Sequence, residues 1–99
     1  MSNYLASGSW HVSAGKEDEF IERWTSFLKW TRETQPGLEV ARLIRADTNP
    51  NRFVSFAEWR DAEARASWRA APEWAEMHQA CKELCDDFEG GDFGAVVTM

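Results

Sequence analysis

Ninety-nine residues, 43% of them hydrophobic and 28% charged, suit one globular domain over residues 1–99 and exclude a disordered or repetitive chain. A net charge of −6, with no Lys/Arg cluster to offset it, argues against a nucleic-acid or anionic-membrane partner. No apolar run nears the roughly 20 residues of a membrane span, and Met1-Ser2-Asn3-Tyr4-Leu5 has no secretory-signal pattern, so a cytoplasmic location with reduced Cys81 and Cys85 is expected.

Residues 4–12 alternate: Tyr4, Ala6, Gly8, Trp10 and Val12 share one face and Leu5, Ser7, Ser9 and His11 the other, the pattern of a strand. After the turn Ser13-Ala14-Gly15, a helix is expected over residues 16–34. Phe20, Ile21, Trp24, Phe27, Leu28 and Thr31 form one stripe of 3.6-residue period, and Glu17, Asp18 and Glu19 sit where the helix dipole favours negative charge. Gln35-Pro36-Gly37 ends it. Strands follow over residues 38–46 and 52–60, joined by Asp47-Thr48-Asn49-Pro50-Asn51. Asp61 is an N-cap for a short helix carrying Trp68, and Pro72 breaks that helix because it cannot donate to the carbonyl of Trp68. A second helical piece is expected over residues 73–88, striped by Trp74, Met77, His78, Cys81, Leu84, Cys85 and Phe88. Glu89-Gly90-Gly91-Asp92 then reads as a turn and residues 93–98 as a last strand.

The order β-α-β-β-α-β is that of a ferredoxin-like α+β domain, with the helices on one face of an antiparallel sheet. Both faces of the strands are apolar. Phe53, Ala57 and Trp59 oppose Val54 and Phe56; Leu38, Val40 and Ile44 oppose Ala41 and Leu43; Phe93, Ala95 and Val97 oppose Val96. A face left bare would be a large apolar patch, so the expected partner is a second copy packed sheet to sheet, a homodimer. Six tryptophans also exceed what a two-layer core of this size needs, and some are expected to wall a ligand cavity.

Gly15-Lys16-Glu17-Asp18-Glu19-Phe20, Gln35-Pro36-Gly37-Leu38, the stretch from Phe53 through Trp59-Arg60-Asp61 to Ala64, and the aromatic-plus-histidine segment from Trp68 to His78 together resemble the antibiotic-biosynthesis-monooxygenase family along nearly the whole chain. The resemblance implies a single such domain, a dimeric α/β barrel, and a pocket in each subunit between helices and concave sheet. It implies a monooxygenase acting on an aromatic, quinol or polyketide-type substrate without a bound cofactor. Haem binding or degradation, or a non-catalytic ligand-binding module, are the alternatives within it. Trp68 and His78, ten residues apart, are the expected catalytic pair. The haem-degrading members carry a tryptophan and an axial histidine at about this separation, so His78 is the iron ligand if haem is bound, and no other metal is expected. Those members also carry an asparagine where this chain has Gly8; the nearest asparagine is Asn3. Gly8, Trp24, Phe27, Arg42 and Trp74 are the expected substrate-binding residues. Gly8 would leave space for a flat ligand, the indoles would stack on it, and Trp68, His78 or Arg42 would donate to its anion. Arg65 and Arg69, flanking Trp68, are expected to be exposed, with contact of one of them to a ligand carboxylate as the alternative.

Overall fold

The computed structural model describes residues 4–99; the absent signal pattern read from Met1, Ser2 and Asn3, and the position of Asn3, lie outside the described residues. Strand β1 (Tyr4–Val12) leads to helix α1 (Glu17–Thr34), strands β2 (Leu38–Arg45) and β3 (Arg52–Trp59), helices α2 (Ala62–Ala70) and α3 (Pro72–Lys82), and strand β4 (Cys85–Gly94). The sheet order is β2-β3-β1-β4 with every pair antiparallel, the arrangement of a ferredoxin-like α+β fold. The four strands form an open sheet with two free edges, so one chain does not close a barrel by itself.

The alternation in β1 and β3 decides which side is covered. Ala6, Trp10 and Val12 are buried against the helices together with Phe53, Ala57 and Trp59. Phe20, Trp24, Phe27 and Thr31 form the buried stripe of α1 facing them. Gly15, at φ 87°, occupies the left-handed conformation that the turn into α1 requires. The carboxylate of Asp61 caps α2 by accepting from the Ala64 N–H at 2.8 Å. That bond, then the neighbouring Arg60 guanidinium, holds its pKa below the usual carboxylate value. Helix α2 stops at Ala70 and α3 restarts at Pro72, whose missing N–H costs nothing in a first turn.

Three expectations are corrected. Helix α3 ends at Lys82 instead of continuing to residue 88, and β4 begins at Cys85. Gly90 and Gly91 lie inside β4, not in a turn, and Val96 and Val97 lie beyond it, 95% and 72% exposed. On β2, a register shift between Leu38 and Val40 puts Leu38 on the helix side, buried, while Val40 and Ile44 stay on the outer face. The outer face carries Phe56, Val54 and Leu5, half-buried, and Val40, Ile44 and Phe93, exposed, together with the polar Ser7, Ser9, His11, Arg42, Glu58 and Glu89, so it is less apolar than the sequence suggested.

Candidate functional site

A cavity of about 250 Å³ lies between the concave sheet and the helices. Its floor is built by segments of β1, β3 and β4, its walls by Trp24, Phe27 and Leu28 of α1 and by Trp68, Trp74 and His78 of α2 and α3. An apolar cavity of roughly 150 Å³ holds benzene, so this one accommodates a larger planar guest of fused rings. Among the described residues, Arg69 and Asp92 are the permanently charged side chains on its wall.

The indoles are held by packing and by hydrogen bonds. Trp68 lies 5.9 Å from Phe27 in a stacked arrangement, 4.9 Å from Trp59 and edge-on to Trp74 at 5.8 Å. Its Nε1–H donates to Thr31 Oγ1 at 3.1 Å, and that hydroxyl in turn donates to the Phe27 carbonyl at 2.8 Å. Trp10 donates to Ser55 Oγ at 2.9 Å. The Trp74 indole nitrogen is buried without a hydrogen-bond partner among the described residues, a state that costs on the order of 1–3 kcal/mol.

His78 lies within an aromatic cage. It stacks on Trp74 at 4.4 Å, with Trp10 at 5.3 Å and Phe27 and Phe88 edge-on at 6.3 and 5.0 Å. Burial, reinforced by the positive charges of Lys82 and Arg69, pulls its pKa from 6.5 down to about 4. The imidazole is therefore neutral at physiological pH. The unfolded chain takes up this proton near pH 6.5 and the folded chain only near 4, so its contribution to stability is full above about 6.5 and is lost as pH falls toward 4. The expected loss is on the order of 1 kcal/mol, kept small by the ring's partial hydration. Thermal melts between pH 7 and 4 check it: His78→Phe should show a shallower acid decline than wild type, and superimposable profiles would mean that the ring titrates normally.

The structure gathers Gly8, Trp24, Phe27, Trp68, Trp74 and His78 around this one cavity. Arg42 is not among them. It pairs with Phe56 in the β2·β3 register and so sits on the outer parity, because the register shift after Leu38 turns the following residues over. The Trp68 indole, committed to Thr31, is not a free donor. Gly8 is also filled differently from expectation: a Cβ there would lie 2.7 Å from Phe88, and one on its cross-strand partner Gly90 would lie 2.5 Å from the same ring. The Phe88 side chain covers the two glycines, so the space they leave holds a side chain of the protein.

Asp92 was not anticipated as a wall residue, and of the two arginines flanking Trp68 it is Arg69 that lines the cavity. Neither Arg65 nor Arg69 is a freely exposed cation, with side chains 16% and 30% accessible. Both meet the Asp92 carboxylate, Arg69 by a close Nη1···Oδ1 pair and Arg65 at 3.6 Å. The position of Arg69 beside Trp68 was a signal for it; Asp92 had none, because its segment reads as a turn. Cys81 and Cys85 do not share a helix face, since Cys85 opens β4. Burial pushes their thiols up to about 12 and about 11, which makes both poor nucleophiles. No group of three or more His, Cys, Asp or Glu side chains converges among the described residues.

Solved structures share this architecture. The cofactor-independent oxygenase SnoaB from Streptomyces nogalater superposes with a TM-score of 0.87 at 24% identity, and a single-residue variant of it with 0.89 at 24%; both alignments cover 100% of this chain and 98% of that one. A conserved protein from Methanosarcina mazei Go1 aligns at 0.84 and 18% identity, over 95% of this chain and 93% of its own. Proteins of curated function yield no match. None of the described helices is long and apolar enough to cross a membrane. The antibiotic biosynthesis monooxygenase family model matches residues 4–80, the segment that builds β1 through most of α3 and both indole walls of the cavity, and the chain belongs to that family.

Proposed function

We propose that the protein is an oxygenase that works without a bound cofactor on a planar, electron-rich phenol, anthrone or quinol, and that it does so as a homodimer joined through the outer sheet face. The observation that carries the reading is the cavity itself, walled by Trp24, Trp68 and Trp74 and closed on one side by a neutral imidazole. Such a site has flat surfaces for stacking and few competing polar groups. The name given to SnoaB, a cofactor-independent oxygenase, is in keeping with it.

The substrate supplies most of the chemistry. A deprotonated anthrone passes electrons to oxygen, and its methylene loses two hydrogens and gains one oxygen atom. The second oxygen atom leaves with both hydrogens as water, so one O2 yields one quinone and one H2O. The protein's tasks are to orient the ring, exclude bulk water and hold the substrate hydroxyl. Trp68 and Trp74 perform the first. His78, neutral at physiological pH, accepts a hydrogen bond from that hydroxyl; a pKa pulled down to about 4 makes it too weak a base to keep the proton itself.

Haem is the less favoured guest, because the ring of His78, which would have to ligate the iron, is closely flanked by Trp74 and Phe88. Oxygen-electrode measurements with a panel of anthrones and hydroquinones test the proposal. Enzyme-dependent uptake of one O2 per quinone formed is the expected result. Tight binding of the same compounds with uptake no faster than in buffer would reduce the protein to a binding module.

A further inference from the structure

We propose that Arg69 is a specificity-determining residue, selecting aromatic guests that carry a carboxylate on the rim of the ring system. The inference rests on the reading of the cavity as a site for a planar aromatic, and adds to it the charge of the guest.

Arg69 stands in the last turn of α2, with its guanidinium 5.5 Å from the Trp68 ring centre and 5.8 Å from that of Trp74. These are the two rings against which a guest would lie, so the cation sits at the margin of the stack. Of its five N–H donors, the structure engages Nη1, with Asp92 Oδ1. The same oxygen also faces Arg65 Nε at 3.6 Å. Arg65 is otherwise spent on the backbone: its Nη1 donates to the Leu5 carbonyl at 2.8 Å and lies 3.3 Å from that of Phe93, tying α2 to β1 and β4. Two guanidinium groups thus share one carboxylate. The two guanidinium groups and the carboxylate together carry one net positive charge, and of the two cations it is Arg69 that lines the cavity.

A guanidinium presents planar pairs of donors that match the two oxygens of a carboxylate. With Asp92 holding one Nη1 hydrogen, the Nε and Nη2 edge is free for a second carboxylate. Among the described residues, no other cation lines the wall. The indole donors of Trp10 and Trp68 are engaged by Ser55 and Thr31, the Ser7 hydroxyl donates to the Ser55 carbonyl, and the Trp74 N–H and the neutral His78 carry no charge. A carboxylate directed elsewhere in the cavity would meet no counter-charge in an aromatic surround, which is unfavourable.

Calorimetric titration of the purified protein at pH 7 and low salt with 1-naphthol and with 1-hydroxy-2-naphthoate tests this. The two share a ring system and differ by the carboxylate. The expected result is a preference of about tenfold or more for the naphthoate, the worth of one charge-assisted pair. Arg69→Gln should bring the ratio of the two affinities close to one, and Arg69→Lys should restore only part of it, because an ammonium lacks the planar fork. Asp92→Asn, which removes the resident carboxylate, should widen the ratio, and it keeps the test alive if Arg69→Gln fails to fold. Equal affinities in the wild type, a preference that survives in Arg69→Gln, or a narrower ratio in Asp92→Asn would each overturn the assignment while leaving the cavity reading in place. Binding of neither compound would overturn both.

Discussion

Trp68→Ala is expected to lower oxygen turnover by about two orders of magnitude and to destabilise the fold by about 3–5 kcal/mol. Both effects have the same origin. The buried indole touches Phe27, Trp59 and Trp74, so its removal leaves a void that merges with the cavity and loosens the wall against which a substrate is oriented. It also strips the donor from Thr31, whose hydroxyl lies buried in α1. Trp68→Phe separates the contributions. It keeps an apolar ring in place and loses only the hydrogen bond and part of the flat surface, so a stability loss of about 1 kcal/mol and a roughly tenfold slower turnover are expected. Thermal denaturation and oxygen uptake, measured on both variants, check the pair of values. Turnover in Trp68→Phe equal to wild type would remove this residue from the reacting geometry.

The second large effect concerns the outer face of the sheet. Phe56→Lys places an ammonium among Leu5, Val54, Val40 and Ile44, directly across the ladder from Arg42, without disturbing a residue of the buried core. If that face is the dimer interface, an unpaired ion buried there costs several kcal/mol. A loss of about 4 kcal/mol raises the dimer dissociation constant roughly a thousandfold. Sedimentation equilibrium at micromolar concentration should give twice the chain mass of 11.4 kDa for the wild type and the single mass for the variant. A wild-type protein that sediments as a monomer would remove the homodimer from the proposal.

Most of the fold could be read from residue order because its determinants are local. The two-residue period of residues 4–12 and the single apolar stripe between Phe20 and Thr31 each admit one assignment. Asp61 and Pro72 mark the ends of α2 and the start of α3 through capping and a missing donor, both short-range effects. The C-terminal quarter was misread for a physical reason. Cys81, Leu84, Cys85 and Phe88 follow the spacing of a helix, yet Leu84 and Phe88 serve the core from a turn and from a strand. Gly90-Gly91 has the composition of a turn, and only its pairing with Ser7 and Gly8 makes it strand. That information lies about 80 residues away along the chain.

The site was legible to the same depth. Trp24, Phe27, Trp68, Trp74 and His78 could be grouped because helical phase alone turns them inward. Arg42 could not be placed correctly, since one register shift on an edge strand decides its face. The Arg69–Asp92 pair joins α2 to the misread strand, and no local pattern connects the two.

The aromatic ring laid across the paired glycines of β1 and β4 sets how deep a guest can go. Trimming Phe88 to alanine would uncover bare backbone on two adjacent strands and turn a shallow slot into a trough. One side chain therefore works as a depth stop, and relatives with a smaller residue at that place would take broader ring systems on an unchanged scaffold.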